Sequence, residues 1–183
     1  MPPFAPFTLQ CERLKLRFIT ESDAEGLLRV FSDPAVMRYG SSAPWTTLEQ
    51  AQQSIATTLA GYEAGNYLRL GIDIDGVLAG AVTLRAFDMQ NRRCEIGYLL
   101  RREFWGKGYM HEALPAMISY AFDTLDLNRI EADVDPRNEA SARLLERMHF
   151  RKEGLMRERW IVNGEVCDSD VFGLLRADWR AAR

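Results

Sequence analysis

The sequence predicts an α+β domain, a central mixed β-sheet flanked by helices, and three observations predict it. Runs with strand alternation and runs with helical spacing succeed one another in the order β, α, α, three β, α, β, α, β, β. Strand-like runs meet at Asp75-Gly76 and again at Asn163-Gly164, both strong hairpin dipeptides. A meander of strands followed by strand–helix–strand then calls for a sheet of mixed direction. The third observation is one of position. The glycine pair Gly106 and Gly108 follows the fourth strand, whereas the phosphate loop of a doubly wound dinucleotide fold follows the first, so that fold is disfavoured.

Each element has a local reason. "FTLQCERLKLRFIT", with Phe7 to Ile19 alternating apolar and polar, reads as a strand. Thr20 caps a helix through Asp33, Asp23 completes a capping box, and Pro34 ends the helix. In "TLEQAQQSIATTLAGYEAG", Leu48, Ala51, Ile55, Leu59 and Tyr62 fall at helical spacing. "YLRLGIDIDGVLAGAVTLRAFD" holds two strands around Asp75-Gly76, and Arg92 to Leu100 a further one. A helix runs from about Gly108 to Leu125. Ile130, Ala132 and Val134 share one face of the next strand, "NEASARLLERM" is a short helix, and two strands flank Asn163-Gly164 at the end.

Composition narrows the function classes. The 183 residues are one domain's worth, 47% hydrophobic and 27% charged, and no repeat or linker divides them, so residues 1–183 read as a single domain. A net charge of −3 and the lack of a basic stripe disfavour nucleic-acid binding. No apolar stretch approaches the ~18 residues of a membrane span. "MPPFAPFTLQ" lacks the basic and apolar regions of a signal peptide, which points to the cytoplasm. Cys11, Cys94 and Cys167 are an odd number, lack CxxC spacing and lie in strand-like runs, as small buried thiols in a reducing compartment would. With His111 and His149 the only histidines, no zinc constellation can be assembled, and no metal is expected.

"REFWGKGYMHEAL" carries the chemistry. A helix N-terminus offers unpaired N–H groups and about half a positive charge, and glycine lets a bulky anion reach them. Gly106 and Gly108 stand there, with Arg101, Arg102 and Lys107 adding charge. Gly108 after Lys107 excludes Walker A, and Glu112-Ala113 excludes the dinucleotide motif. Taken alone, the loop is either an anion cradle or a turn with a solvated basic face.

The run "CEIGYLLRREFWGKGYMHEAL", then "DPRNEASARLLERMHF" and a closing hairpin, resembles the GNAT superfamily of acyl-CoA-dependent N-acetyltransferases. "CERLKLRFITESDAEGL" and "GEVCDSDVFGLLRADW" resemble its RimJ/RimL-like branch of ribosomal-protein N-terminal acetyltransferases, so the resemblance spans nearly the whole chain. It implies the GNAT fold and acetyl-CoA as acyl donor. The loop pattern Q/R-x-x-G-x-G/A begins here with Glu103, which takes no part in phosphate binding. The resemblance implies that Leu99, Leu100 and Arg101 bond the pantetheine arm through their backbone. It implies that Trp105, Gly106, Lys107, Gly108, Tyr109 and Met110 meet the pyrophosphate, and that Asn138 contacts the pantetheine. Asn138 is equally a good helix N-cap, and the two roles are compatible.

Acetyl transfer needs a neutral amine, donors for an oxyanion and a proton for the departing thiolate. An α-amine of pKa ~8 is roughly 10% neutral at pH 7, against about 0.04% for a lysine, so an enzyme for N-termini can use a modest base. Glu95 resembles the strand glutamate that serves as base in the histone acetyltransferase branch. It reads otherwise as a strand carboxylate paired with Arg93 or a neighbouring strand. Asp133 and Asp135 are the alternative bases. Ser141, three residues after Asn138 on nearly the same helical face, resembles the serine that faces the sulfur in RimL-like relatives, and reads otherwise as an ordinary helix serine. A backbone N–H near Leu99 or Leu100 would meet the oxyanion. Attack is direct, in a ternary complex, as no activated nucleophile is evident.

Acceptor contacts in the family come from the first helices and the last hairpin, which points to Met37, Arg38, Tyr39 and Trp45, and to Trp160. The loop aromatics could instead pack over the helix pair. Glu49, Asp88 and Glu95 are too scattered to choose among acceptors. The expected reaction is acetylation of a primary amine, foremost a protein N-terminal α-amine. The alternatives are a polyamine or antibiotic amine, or a non-catalytic acyl-CoA sensor. Dimers are common in the branch, and the exposed edge of the last hairpin could support a homodimer.

Overall fold

The computed structural model describes residues 2–182. Eight strands form one sheet: β1 (Thr8–Gln10), β2 (Lys15–Phe18), β3 (Leu68–Ile74), β4 (Val77–Asp88), β5 (Arg93–Leu100), β6 (Arg129–Val134), β7 (Arg151–Val162) and β8 (Glu165–Leu175). Their spatial order is β1-β2-β3-β4-β5-β6-β8-β7. The pair β5–β6 is parallel and the others are antiparallel. Both hairpin dipeptides lie where expected, Asp75-Gly76 and Asn163-Gly164 each taking the positive φ that such turns demand.

Helices α1 (Ala24–Phe31), α2 (Pro34–Met37), α3 (Leu48–Ala64), α4 (Tyr109–Ser119), α5 (Glu139–Arg147) and α6 (Arg176–Ala181) cover the sheet. On one face Leu70, Ile72, Val82, Leu84, Cys94, Ile130 and Phe172 bury Leu114, Met117, Ile118 and Phe122 from α4 and the turn after it. On the other, Ile19 and Leu78 receive Ala24 and Leu27 of α1 and Ala51 and Ile55 of α3. The predicted spacing of α3 is the reason: Ala51, Ile55, Thr58 and Tyr62 form its buried side, Thr47 and Gln50 close a capping box, and Gly65 at φ 66° ends it.

Several boundaries differ from expectation. Phe7 to Ile19 is two antiparallel strands, pairing Thr8 with Arg17, because the chain turns back through Cys11–Leu14. Cys11 therefore lies in a turn rather than a strand. The first helix ends at Phe31, and Pro34 opens α2 where its missing N–H costs nothing, with Asp33 Oδ1 accepting from Ala35 N at 2.8 Å. The helix after Gly108 widens into a π-turn over Tyr120–Thr124. Helix α6 went unrecognised in the sequence.

Arg17 ties this half together. Its Nη1 and Nη2 donate to Asp23 at 2.9 and 2.8 Å, and its Nε donates to Asp73 at 2.8 Å. Burial pushes the Asp23 carboxyl up, but hydrogen bonds from Arg17 and Thr20 outweigh it and hold the group below the usual carboxylate range. A carboxylate depressed in this way stabilises the fold above its unfolded pKa, near 3.9, and stops doing so as pH falls through its folded value. Arg17→Met should cost roughly 3 kcal/mol in urea unfolding at pH 7, since two buried carboxylates lose their partner. The cost should shrink below about pH 4 as Asp23 takes up its proton. A pH-independent cost would show that packing, not charge, dominates.

Candidate active site

Strands β5 and β6 pair at Arg93↔Arg129, Cys94↔Ile130 and Glu95↔Glu131, and beyond Glu95 they part. Across the sheet, β4 follows β5 to its end, pairing Gly80 with Leu100. Gly80 is required there, because a Cβ would stand 2.2 Å from the Leu99 carbonyl oxygen. The amide of Arg101 donates to Ala79 O at 2.8 Å. The far side of β5 from Ile96 to Leu100 thus faces a gap. A cavity of about 490 Å³ fills it, lined by Ile96, Gly97, Tyr98 and Leu99 on one side and Ala132 to Asp135 on the other. Consecutive residues of each strand line it, so the opening meets both sheet faces.

Asn138, Ser141 and Tyr98 meet in this cavity. Asn138 caps α5, its Oδ1 accepting from Ser141 N at 3.2 Å, which sets the first turn and aims Ser141 at the gap. The hydroxyls of Ser141 and Tyr98 lie 2.8 Å apart in a hydrogen bond. Burial pushes the Tyr98 phenol up to about 12, with the bond from Ser141 acting the other way. At neutral pH Tyr98 therefore keeps its proton and can supply Ser141.

The chain leaves Leu100 through a 3₁₀ turn, Arg102–Phe104, and enters α4 past the two glycines. Gly106 and Gly108 have φ of 72° and 82°, which favour glycine, and a Cβ on Gly106 would meet nothing within 4 Å. The cradle is open rather than packed. The first amides of α4 lack helical partners by the geometry of a helix start. Arg13, carried by the turn after β1, braces the loop. It donates to Lys107 O at 3.0 Å, pairs with Glu112 at 2.9 Å and lies 4.9 Å from the Tyr109 ring centre. Trp105 Nε1 donates to Leu100 O at 2.6 Å, joining the loop to the end of β5. Glu103 pairs with Arg101.

The remaining predicted residues divide. Tyr39 and Trp160 line the cavity; Arg137 and Arg38 stand over the Tyr39 ring, and Arg159 over that of Trp160. Trp45 lies away from the lining, stacked on Phe31 at 4.1 Å. Glu95 points to the same side of the sheet as the cavity's polar wall and pairs with Arg85 at 3.2 Å; Arg85, rather than Glu95, lines the space. Asp133 does line it, and its Oδ2 is buried without a hydrogen bond, with Arg159 Nε 3.5 Å away. Asp135 is held below the usual carboxylate range by hydrogen bonds from Arg137. Cys167 lines the cavity, while burial pushes the Cys94 thiol up to about 12 in the core. Sequence reasoning passed over Tyr98, which alternation with Cys94, Ile96 and Leu100 disguises as core; its need for a hydroxyl partner was the available signal. It also passed over Arg69 and Arg85.

Residues 13–151 match the acetyltransferase (GNAT) domain family. An uncharacterised N-acetyltransferase, p20, of Bacillus licheniformis is 39% identical over 94% of this chain and 98% of its own. The structure of a ribosomal-protein-serine acetyltransferase from Vibrio cholerae, so described in provisional terms, superposes with a TM-score of 0.82 at 28% identity, covering 96% of this chain and 99% of that one. RimL, a ribosomal L7/L12 α-N-protein acetyltransferase solved with coenzyme A, has a TM-score of 0.84 at 24% identity, covering 92% and 98%.

Spectrophotometric titration tests the polar pair directly. Tyr98→Phe should remove one phenol that is still protonated at pH 11, while the Tyr62 phenol, pushed up to about 12 by burial, remains. Loss of a phenol of ordinary pKa, near 10, would contradict the described burial.

Proposed function

The chain belongs to the GNAT acetyltransferase family, in its RimJ/RimL-like branch, and is an N-acetyltransferase; we propose that it acetylates a protein N-terminal α-amine. The observation that carries this reading is the gap between β5 and β6, which opens beside Ser141, on a strand whose end leads the chain into the glycine-bounded start of α4. Its parts fit an extended thiol coenzyme: an unpaired strand edge for the amide-bearing arm and an open helix terminus for the pyrophosphate.

Acetyl-CoA supplies the thioester. In this reading the backbone of Leu99, Leu100 and Arg101 holds the pantetheine, the amides from Trp105 to Met110 hold the pyrophosphate, and Asn138 contributes through α5. The amine nitrogen forms the new C–N bond as the C–S bond breaks. A carboxylate takes the amine proton, and Ser141, backed by Tyr98, returns one to the thiolate. Glu95 is the first choice for that carboxylate. Asp133 is the second, favoured by its place in the cavity wall and by its unbonded Oδ2. Tyr39 and Trp160 border the acceptor, whereas Trp45 supports that wall from behind through Phe31. All of residues 1–183 act as one cytoplasmic domain in this account.

Thiol release from acetyl-CoA tests the reading. A peptide with a free N-terminus and blocked lysine should turn over, while its reverse and spermidine should not. Ser141→Ala should lower kcat, and whichever of Glu95→Gln and Asp133→Asn removes the base should lower it about 100-fold or more. Turnover of spermidine alone would move the assignment to small amines. Acetyl-CoA binding with no turnover of any amine would make the chain a sensor. Gly108→Ala, strained at φ 82°, should weaken acetyl-CoA binding more than it alters kcat.

A further inference from the structure

The charges around the cavity are unevenly satisfied. Four arginines line it: Arg38, Arg69, Arg85 and Arg137. Arg85 is neutralised by Glu95, and Arg137 by Asp135 and Glu165. Arg38 and Arg69 form no ion pair among the described residues. Arg69 is half-buried on β3, its Nη1 donating to Ser54 Oγ at 2.7 Å and its Nη2 to the Tyr67 hydroxyl. Its Nε is buried and makes no hydrogen bond. The guanidinium lies 5.4 and 5.3 Å from the ring centres of Phe31 and Tyr67. Fixed by two neutral hydroxyls and two rings, it is a positioned cation without an anion. Arg38, exposed at the end of α2, also lines the cavity, beside Tyr39.

On the side of β6 and β8 the carboxylates have partners, Asp133 with Arg159 Nε at 3.5 Å and Asp168 accepting from Glu158 N at 2.8 Å. The positive charge that the lining leaves without an ion-pair partner among the described residues is therefore that of Arg69 and Arg38. We propose that Arg69 and Arg38 form an anion subsite for the acceptor, and that the preferred acceptor is an amine carrying a carboxylate close to the reacting nitrogen. This rests on the reading that the cavity receives a peptide N-terminus. Two residues of extended chain reach at most about 7 Å, so an aspartate in the acceptor's second position keeps its carboxylate close to the reacting nitrogen, and that is the position proposed. A partly desolvated arginine with spare N–H groups recognises a carboxylate through charge-assisted hydrogen bonds, and the same potential disfavours a basic side chain.

Four lysine-free probes test it with acetyl-CoA: the tetrapeptide amides Ser-Asp-Ala-Ala and Ser-Asn-Ala-Ala, then glycylglycine and glycylglycinamide. The Asp peptide should exceed the Asn peptide in kcat/KM by about 10- to 100-fold, mostly through KM. That preference should collapse toward unity in Arg69→Gln, survive in part in Arg69→Lys, and fall in Arg38→Gln, a surface change that does not threaten folding. A matching preference of glycylglycine over its amide would show that a terminal carboxylate also serves; its absence would assign the subsite to a side chain. Equal wild-type rates on both tetrapeptides, or an undiminished preference in both arginine variants, would overturn the proposal while leaving α-amine acetylation intact. If neither tetrapeptide nor either dipeptide turns over but spermidine does, the α-amine reading and the subsite fall together.

Discussion

Parallel pairing between β5 and β6 lasts three residues, and the site depends on where it stops. A strand inside a sheet has both edges bonded; one released by a neighbour must find partners elsewhere for its N–H and C=O groups. Strand β5 is released on one side only. β4 continues to hold it through Leu100, with the close approach that Gly80 permits, so the freed edge stays straight and presented. β6 meanwhile remains bonded to β8 along its length, from Arg129 to Val134. The gap is thus a fixed feature of the sheet, with firm walls on both sides.

Around that gap, the molecule spends its polar groups on holding backbone in place. Arg13 ties the turn between β1 and β2 to the glycine loop and to the first turn of α4, so the N-terminal hairpin steadies that loop. Arg17, on β2 directly after that turn, joins β2 to β3 and to the start of α1 through Asp73 and Asp23. Asn138 orders α5 and in doing so directs Ser141. The Arg13 pair, with its arginine exposed, contributes little to stability and matters for position, whereas Arg17 satisfies buried carboxylates.

Fold and site were legible to different depths. The hairpins at Asp75-Gly76 and Asn163-Gly164, and the apolar face of Ile130, Ala132 and Val134, follow from local rules about turns and strand alternation. The turn at Cys11–Leu14 went unread because no glycine or proline marks it; its only signal is a slip of phase, the apolar positions Phe7, Leu9 and Cys11 giving way to Leu14, Leu16 and Phe18 across Glu12-Arg13. The glycine loop could be read as an anion site from Gly106 and Gly108, but the branch came from family resemblance, since an open helix terminus has no preference among phosphates. Tyr98 and Arg69 stayed hidden for a common reason. Each belongs to a strand whose alternation accounts for it locally, and its function arises only where distant elements converge, α5 on Tyr98 and α3 on Arg69.

Glu95 shows the same limit from the other direction. Strand position and resemblance single it out, yet Arg85 holds it beside the cavity while Asp133 lines the wall. The central claim, that the freed edge of β5 and the start of α4 form one coenzyme site, does not depend on which carboxylate acts. Amide NMR during a titration with coenzyme A alone would test it most directly. The account predicts that the amides of Tyr98 to Arg101 and those of Gly106 to Met110 shift together, along one saturation curve. Shifts confined to one group, or two groups saturating at different concentrations, would contradict it.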